Sequence, residues 1–390
     1  MNVRASPPGD LKMANETTSM RYAFGKNWAE FIEKNFCQSV VDDSREHLAG
    51  FMRMDSLKGL TFVDIGCGSG LHSLAAYQMG ADRIFSFDYD PDSVGTTKKI
   101  HDYAGSPLNW TIEQGSVLDK SYMEKVPKSD IIYSWGVLHH TGDMWTAVRN
   151  AAIPMKPDGL FYIALYSSDN YVDPPPEYWL KIKRQYNRSR ALGKRWMELR
   201  HAVRFLIIPE LKAGRNPFEV MRKYGARGMT YWTDVKDWLG GYPMDFASLR
   251  QTQAFCKDEL GLDLVNVLTG EGCTEYLFCR PELNERWRSI VECRKLVPLS
   301  GPFHHNGGAA YALAAPQIEY QADTGEEPRR SKVMLYEDGR MLGLAHAMHD
   351  HIVRFGKGRF SHYGPNIYFS ASDNSDPNQN GRIYAYCDRF

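Results

Sequence analysis

Residues 62 to 70, Phe62-Val63-Asp64-Ile65-Gly66-Cys67-Gly68-Ser69-Gly70, join an apolar run to three glycines at alternate positions. Glycine enters positive φ without steric penalty, so a strand ending this way can turn sharply and let its backbone approach a ligand. The spacing constrains which ligand. A dinucleotide fold asks for G-x-G-x-x-G, so that a pyrophosphate meets the backbone and the helix amino end. Here the third glycine comes one residue early, at Gly70, and Leu71 stands at the dinucleotide position. Asp64, two residues ahead of Gly66, offsets positive charge on whatever enters the turn.

From residue 60 to 166 short apolar runs alternate with helical stretches. Strands are expected at Leu60–Ile65, Arg83–Asp88, Asn109–Gln114, Asp130–Ser134 and Leu160–Tyr166. Helices are expected at Gly70–Met79, Pro91–Tyr103 and Asp143–Met155, the last stopped by a turn at Lys156-Pro157-Asp158-Gly159. Strands spaced by helices build a mostly parallel sheet covered on both faces, an α/β doubly wound architecture. After Tyr166 the rhythm breaks. Pro174-Pro175-Pro176 opens an inserted segment with a helical region from Glu177 to Leu206, and the alternation resumes with a helix at Ser248–Leu260 and strands at Asp263–Leu268 and Glu275–Arg280. Beyond residue 300 short β-branched and aromatic runs, among them Lys332–Tyr336, Ile367–Ala371 and Arg382–Tyr386, predict a small all-β domain.

Charge excludes some partners. Lys plus Arg equal Asp plus Glu at 47 each, which gives no global field for nucleic acid or a membrane surface. Residues 181 to 204 do carry nine Lys or Arg against one acid, a run expected to be a solvated face. Seven scattered cysteines without a C-x-x-C pair indicate a reducing, cytoplasmic setting. No run of eighteen apolar residues occurs.

Chemistry is expected at the carboxyl ends of the strands. Asp88 closes the second strand about twenty residues after the glycine turn, where a carboxylate accepts from both hydroxyls of a ribose. Asp90, before Pro91, reads as a helix N-cap. The fourth strand runs into Ser134-Trp135-Gly136-Val137-Leu138-His139-His140. Imidazole titrates near neutrality, so His139 or His140 is nominated as a general base.

The turn with Asp64, Gly66, Gly68 and Gly70, followed by Asp88, resembles motif I and its ribose partner in the class I S-adenosylmethionine-dependent methyltransferases. The resemblance covers roughly residues 20 to 280. It implies a seven-stranded sheet with the final strand antiparallel, S-adenosylmethionine as cofactor, and an acceptor-covering lid at 167–247. Gln114-Gly115-Ser116-Val117-Leu118-Asp119 is similar to the family's adenine-binding segment, with Ser116 where an acid is usual. Ser116 and Val117 are therefore expected at the cofactor, with Asp119 as an alternative acceptor. Trp135 is expected beside the methyl group. Arg21 to Trp28 looks like the N-terminal element that closes over the cofactor in small-molecule enzymes of the ubiquinone-pathway O-methyltransferase group, through Arg21, Phe24 or Trp28. In the lid, Arg227, Tyr231, Trp232 and Tyr242 combine rigid aromatics with fixed charge, which suits a sugar or phosphorylated acceptor.

The expected organisation is an N-terminal cofactor-closing region (1–59), a methyltransferase domain (60–280), a linker (281–300) and a C-terminal β domain (301–390). The last segment resembles tails on bacterial enzymes associated with surface polysaccharides. Its histidines, His346, His349, His351 and His362, and the Asp373–Gly381 run are not expected to hold a metal, because position twelve of an EF-hand register is Cys387 and an Asn-Gly hairpin explains the run. The expected activity is methyl transfer to a hydroxyl of a small acceptor, such as a sugar or glycoside. The alternatives are N-methylation of an amine and a non-enzymatic carbohydrate-binding role. Nucleic acid and membranes are not expected partners; self-association through the C-terminal domain is.

Overall fold

The computed structural model describes Tyr22, residues 24–222, Tyr224 and residues 230–269, 272–281 and 296–387. Arg21 and Arg227, both expected at the site, lie outside the described residues. Seven strands form one sheet in the order β3-β2-β1-β4-β5-β7-β6. They are β1 (Thr61–Ile65), β2 (Arg83–Asp88), β3 (Trp110–Gln114), β4 (Ser129–Trp135), β5 (Met155–Tyr166), β6 (Asp263–Leu268) and β7 (Cys273–Cys279). The parallel register pairs Thr61 with Arg83 and Phe62 with Ile131, so β1 lies between β2 and β4. β6 and β7 run antiparallel, with a bulge between Leu264 and Asn266. Because strand order reverses beside β1, the crevice beyond the carboxyl ends of β1, β2 and β4 is where a ligand fits this topology.

The chain divides into two compact units, Met1–Ile163 with Pro174–Asp245, and Ala164–Asp173 with Phe246–Phe390. In the first, helices α1 (Phe24–Asn35), α2 (Gln38–Met52), α3 (Leu71–Gln78), α4 (Pro91–Tyr103), α5 (Lys120–Met123) and α6 (Met144–Ala151) accompany the strands. The central strands are mostly apolar, with Val63, Ile131, Ile132 and Leu160 to Ile163 fully buried, as a sheet covered on both faces requires. The expected turn at residues 156–159 is not one. Helix α6 ends at Ala151, and Lys156 to Gly159 belong to β5, where the Lys156 ammonium holds the buried Asp130 carboxylate at 2.8 Å.

The insertion is helical, as expected, but not one helix. It consists of α7 (Pro176–Arg188), α8 (Ala191–Ala202), a π-turn (Val203–Ile207), α9 (Ile208–Lys212), α10 (Pro217–Arg222) and α11 (Tyr231–Gly240). Ile182, Tyr186, Met197, Ala202, Tyr231, Val235 and Leu239 form its own apolar core.

The second unit contains α12 (Leu249–Leu260), capped by a reciprocal Ser248–Gln251 box. It also holds two four-stranded antiparallel sheets. β13 (Phe360–Tyr363), β14 (Asn366–Phe369), β10 (Tyr311–Ala314) and β9 (His304–His305) make one; β12 (Arg340–Met341), β11 (Met334–Glu337), β15 (Tyr384–Cys387) and β8 (Val297–Leu299) make the other. A two-turn helix, α13 (His349–Phe355), departs from the all-β expectation. The buried Arg359 guanidinium donates to the carbonyls of Gly356 and Asp169 at 2.9 and 2.8 Å, which ties the 164–173 segment into this unit. Asp373 pairs with Arg382 and caps Ser375, and Asp376 caps Asn378, so these acids hold their own turn. Among the described residues no three His, Cys, Asp or Glu side chains gather as a metal site.

Candidate active site

The three turn glycines all have positive φ: Gly66 at 75°, Gly68 at 53° and Gly70 at 81°. At Gly66 the requirement is steric as well, since a Cβ there would fall 2.5 Å from both Val137 methyls. The turn is fastened to β2: Gly66 and Cys67 donate to the Phe87 carbonyl at 2.8 and 3.1 Å. Asp88 fastens it a second time. Its Oδ2 accepts from Gly68 N at 3.0 Å and its Oδ1 from Asp90 N at 2.9 Å, so both carboxylate oxygens are oriented by backbone. A carboxylate oxygen carries two lone pairs, so one oxygen can accept from a backbone amide and from a ribose hydroxyl together.

Asp64 is placed differently from a simple counter-ion. It is 2% exposed, and Ser73 Oγ donates to it at 2.5 Å while sharing a bond with Ser86 Oγ. Burial raises its pKa to about 7, with Ser73 opposing and Asp88 adding to the shift. Burial thus disfavours its charged form, and the carboxyl supports the turn from beneath.

Helix α1 closes the turn from above. It begins at Phe24, which puts Phe24 and Trp28 on the helix itself. A Cβ on Gly68 would lie 3.3 Å from Trp28 Nε1, so the indole sits directly over the glycine turn. Gly25 N donates to Asp90 Oδ2 at 3.0 Å, while Asp90 Oδ1 caps α4 by accepting from Asp92 N.

At the end of β3, Ser116 Oγ accepts from Leu118 N at 3.3 Å, and Asn150 Nδ2 donates to the Val117 carbonyl at 3.0 Å. Asp119, the expected alternative acceptor for adenine, is instead the N-cap of α5 and accepts from Ser121 N and Tyr122 N. At the end of β4, the half-buried Trp135 keeps its indole N–H inside the protein, with no hydrogen-bond partner among the described residues. His139 is fully buried; burial first, then His140 and Lys183, hold its pKa well below the ordinary histidine value. Its backbone carbonyl accepts from Asp245 N at 2.8 Å. His140 is half-buried against Phe24, with ring centroids 5.0 Å apart. Its Nδ1 donates to the Pro243 carbonyl at 2.7 Å. A carbonyl only accepts, so the neutral ring carries its proton on Nδ1 and its lone pair on Nε2.

In the lid, Tyr231 packs into the insertion's core, and Trp232 lies near its surface at 38% exposed. Tyr242 is buried, its hydroxyl accepting from Arg184 Nε at 3.3 Å. The structure thus brings Tyr242 to the turn that binds His140, and places Tyr231 and Trp232 on α11.

Residues 56–203 match the methyltransferase domain family model. Over these residues the chain carries a methyltransferase domain. The ubiquinone biosynthesis O-methyltransferase of Methylobacterium sp. (strain 4-46) is 32% identical over 123 residues, 31% of this chain and 46% of the relative. Its counterpart from Methylobacterium nodulans is 28% identical over 134 residues, 34% of this chain and 49% of the relative. The chain thus spans about half the length of these curated relatives. Among solved structures, PKMT2 from Rickettsia typhi in complex with AdoHcy is 13% identical, with a TM-score of 0.43 over 66% of this chain and 58% of that one.

The methyltransferase domain fits S-adenosylmethionine on its own geometry. A backbone cradle of positive-φ glycines, a carboxylate held by two backbone amides and a buried unsatisfied indole N–H converge on the strand ends. Reasoning from the sequence missed a polar chain that joins α1 to the lid. Asn27 Nδ2 donates to Tyr22 Oη at 2.7 Å and to Asp237 Oδ1, and Tyr22 N donates to the Tyr242 carbonyl at 3.0 Å. It also missed Lys183, which is 1% exposed on α7, donates to the Trp238 carbonyl and lies 4.2 Å over the Trp238 ring. Burial lowers its pKa to about 7, with Asp237 opposing. Its only sequence signal was membership in a run of basic residues, which does not separate a buried lysine from solvated ones.

Proposed function

We propose that this protein transfers a methyl group from S-adenosylmethionine to a hydroxyl of a small acceptor, with a sugar or glycoside the preferred class. The observation that carries the reading is the His140 Nδ1 bond to the Pro243 carbonyl, which orients the ring at the β4 strand end and puts the neutral ring's lone pair on Nε2. S-adenosylmethionine, when bound, supplies an electrophilic methyl group on sulfur. Asp88 would hold the ribose hydroxyls, with Trp28 over the turn. His140 would take the acceptor's hydroxyl proton at Nε2 as the oxygen attacks, and the α7–α11 lid would exclude water and hold the acceptor in line. His139, buried and neutral, supports the loop by its backbone bond to Asp245. The O-methyltransferase names of the relatives and the aromatic and guanidinium groups around Tyr242 and Arg184 support a hydroxylated acceptor. The scattered cysteines favour a cytoplasmic setting.

The test is a panel of sugar, phenol and amine acceptors assayed with wild type and His140→Ala. The expected result is turnover of a hydroxyl acceptor and a loss on the order of a hundredfold or more in the variant, with unchanged S-adenosylhomocysteine affinity. Full activity of His140→Ala, or turnover confined to amines, would overturn the assignment.

A further inference from the structure

The continuous helical segment from α8 through the π-turn to α9 presents a row of large apolar side chains to solvent. Leu192, Trp196, Leu199, Val203, Ile208 and Leu211 are exposed, from 87% at Leu192 through 58% at Trp196 to 61% at Leu211. Their steps are four, three, four, five and three residues. Steps of three and four keep side chains on one helical face. The five-residue step falls on the π-turn Val203–Ile207, which widens the helix by about one residue per turn and so leaves Ile208 on the same face as Val203. Pro209, which cannot donate to the preceding turn, follows immediately. The opposite face carries the Met197 and Ala202 contacts to the lid core, so this row is a second apolar stripe with no packing role within the insertion's core.

Basic side chains border the stripe. Arg195 lies along one edge; Arg200, Arg204 and Lys212 follow the other by helical position. Between residues 190 and 215 there are seven Lys or Arg and two acids, and both acids are already engaged: Glu198 accepts from Tyr186 Oη at 2.7 Å, and Glu210 is paired with Arg215. Arg200 stacks over the Trp196 ring at 5.1 Å, joining charge to apolar surface at the edge. A tryptophan, leucines and valine on one face with lysines and arginines beside them match the physics of a helix lying in a bilayer interface. No helix among the described residues is long and apolar enough to cross a membrane.

We propose that the α8–α9 face is a docking surface for an anionic phospholipid bilayer, contrary to the expectation from overall charge that no membrane is involved. The inference is independent of the acceptor assignment. Charge favours lipid over a second copy of this chain: pairing two identical stripes would bring rows of arginine and lysine together, whereas anionic headgroups complement them.

The test uses the full chain and vesicle flotation. Wild type is expected to float with phosphatidylglycerol-containing vesicles and not with pure phosphatidylcholine vesicles, and binding should weaken as salt is raised from 20 to 300 mM, an experimental range of roughly threefold to fourfold in Debye length. Trp196→Ser/Leu199→Ser should weaken binding at least about tenfold by removing inserted apolar area. Arg200→Gln/Lys212→Gln should weaken it about thirtyfold at low salt, from a factor of about five per basic residue. Circular dichroism melts of both pairs should match wild type. Failure of wild type to bind anionic vesicles at low salt, or equal binding by all three proteins, would overturn the proposal. So would a wild-type dimer in sedimentation velocity that Trp196→Ser/Leu199→Ser converts to monomer, because the stripe would then be an interface between copies.

Discussion

Replacing Gly66 by alanine tests the reasoning behind the glycine turn, because two separable costs meet at that residue. The backbone φ is 75°, which an L side chain adopts at about 1–2 kcal/mol. The new Cβ would also lie 2.5 Å from both Val137 methyls, and relieving an overlap of that kind costs about 1–3 kcal/mol more. The sum is about 2–5 kcal/mol, equivalent to a fall of roughly 4–20 °C in melting temperature at about 2–4 °C per kcal/mol. Val137→Ala removes the methyls without touching φ. In that background Gly66→Ala should cost the backbone share, about 1–2 kcal/mol, plus the small shift demanded by the Val137 Cβ that remains 3.0 Å away, and the double-mutant cycle should show a coupling of about 1–3 kcal/mol. Denaturant unfolding of wild type, the two single variants and the double variant provides the measurement. A coupling energy below about 0.5 kcal/mol would refute the steric argument and leave φ as the whole reason for glycine.

Asp88→Asn leaves one acceptor oxygen for the backbone and removes the charge; S-adenosylhomocysteine binding by calorimetry should weaken about 10- to 100-fold, from one or two lost charge-assisted bonds. Lys183 predicts a pH effect. Its folded pKa is depressed to about 7 against 10.5 unfolded, so the unfolded chain binds more protons between these values and stability rises with pH across that window. Between pH 7 and 8.5, before unfolded cysteines ionise, the gain should be about 1–2 kcal/mol in wild type. Lys183→Met should lack that gain; equal slopes in the two proteins would discard the buried-lysine explanation.

Much of the site was legible because its signals are local. The Asp64-to-Gly70 turn, Asp88 at a strand end and Asp90 before Pro91 each announce themselves within a few residues, and the structure builds a turn, a fastening carboxylate and a cap there. What escaped depends on distant partners. Glycine is required at position 25 inside α1 because any Cβ would meet Ser93 N at 2.6 Å and Asp90 at 2.8 Å, partners more than sixty residues away that nothing local announces. Pro157-Asp158-Gly159 reads as a turn, but Asp130 on the neighbouring strand holds Lys156 in line and the strand runs through. Lys183 was hidden among eight other basic residues because composition records charge and not the direction a side chain takes. Short strands such as His304–His305 and Arg340–Met341 offer too few residues for alternation to register.

The short segment from Tyr22 to Trp28, which enters and begins helix α1, grips two parts of the molecule. Gly25 and Trp28 engage the glycine turn and Asp90, while Tyr22 and Asn27 reach Tyr242 and Asp237 of the lid. Because these contacts belong to one short segment, displacing it from the glycine turn would strain its bonds to Tyr242 and Asp237 as well, which couples the covering of the turn to the position of the lid.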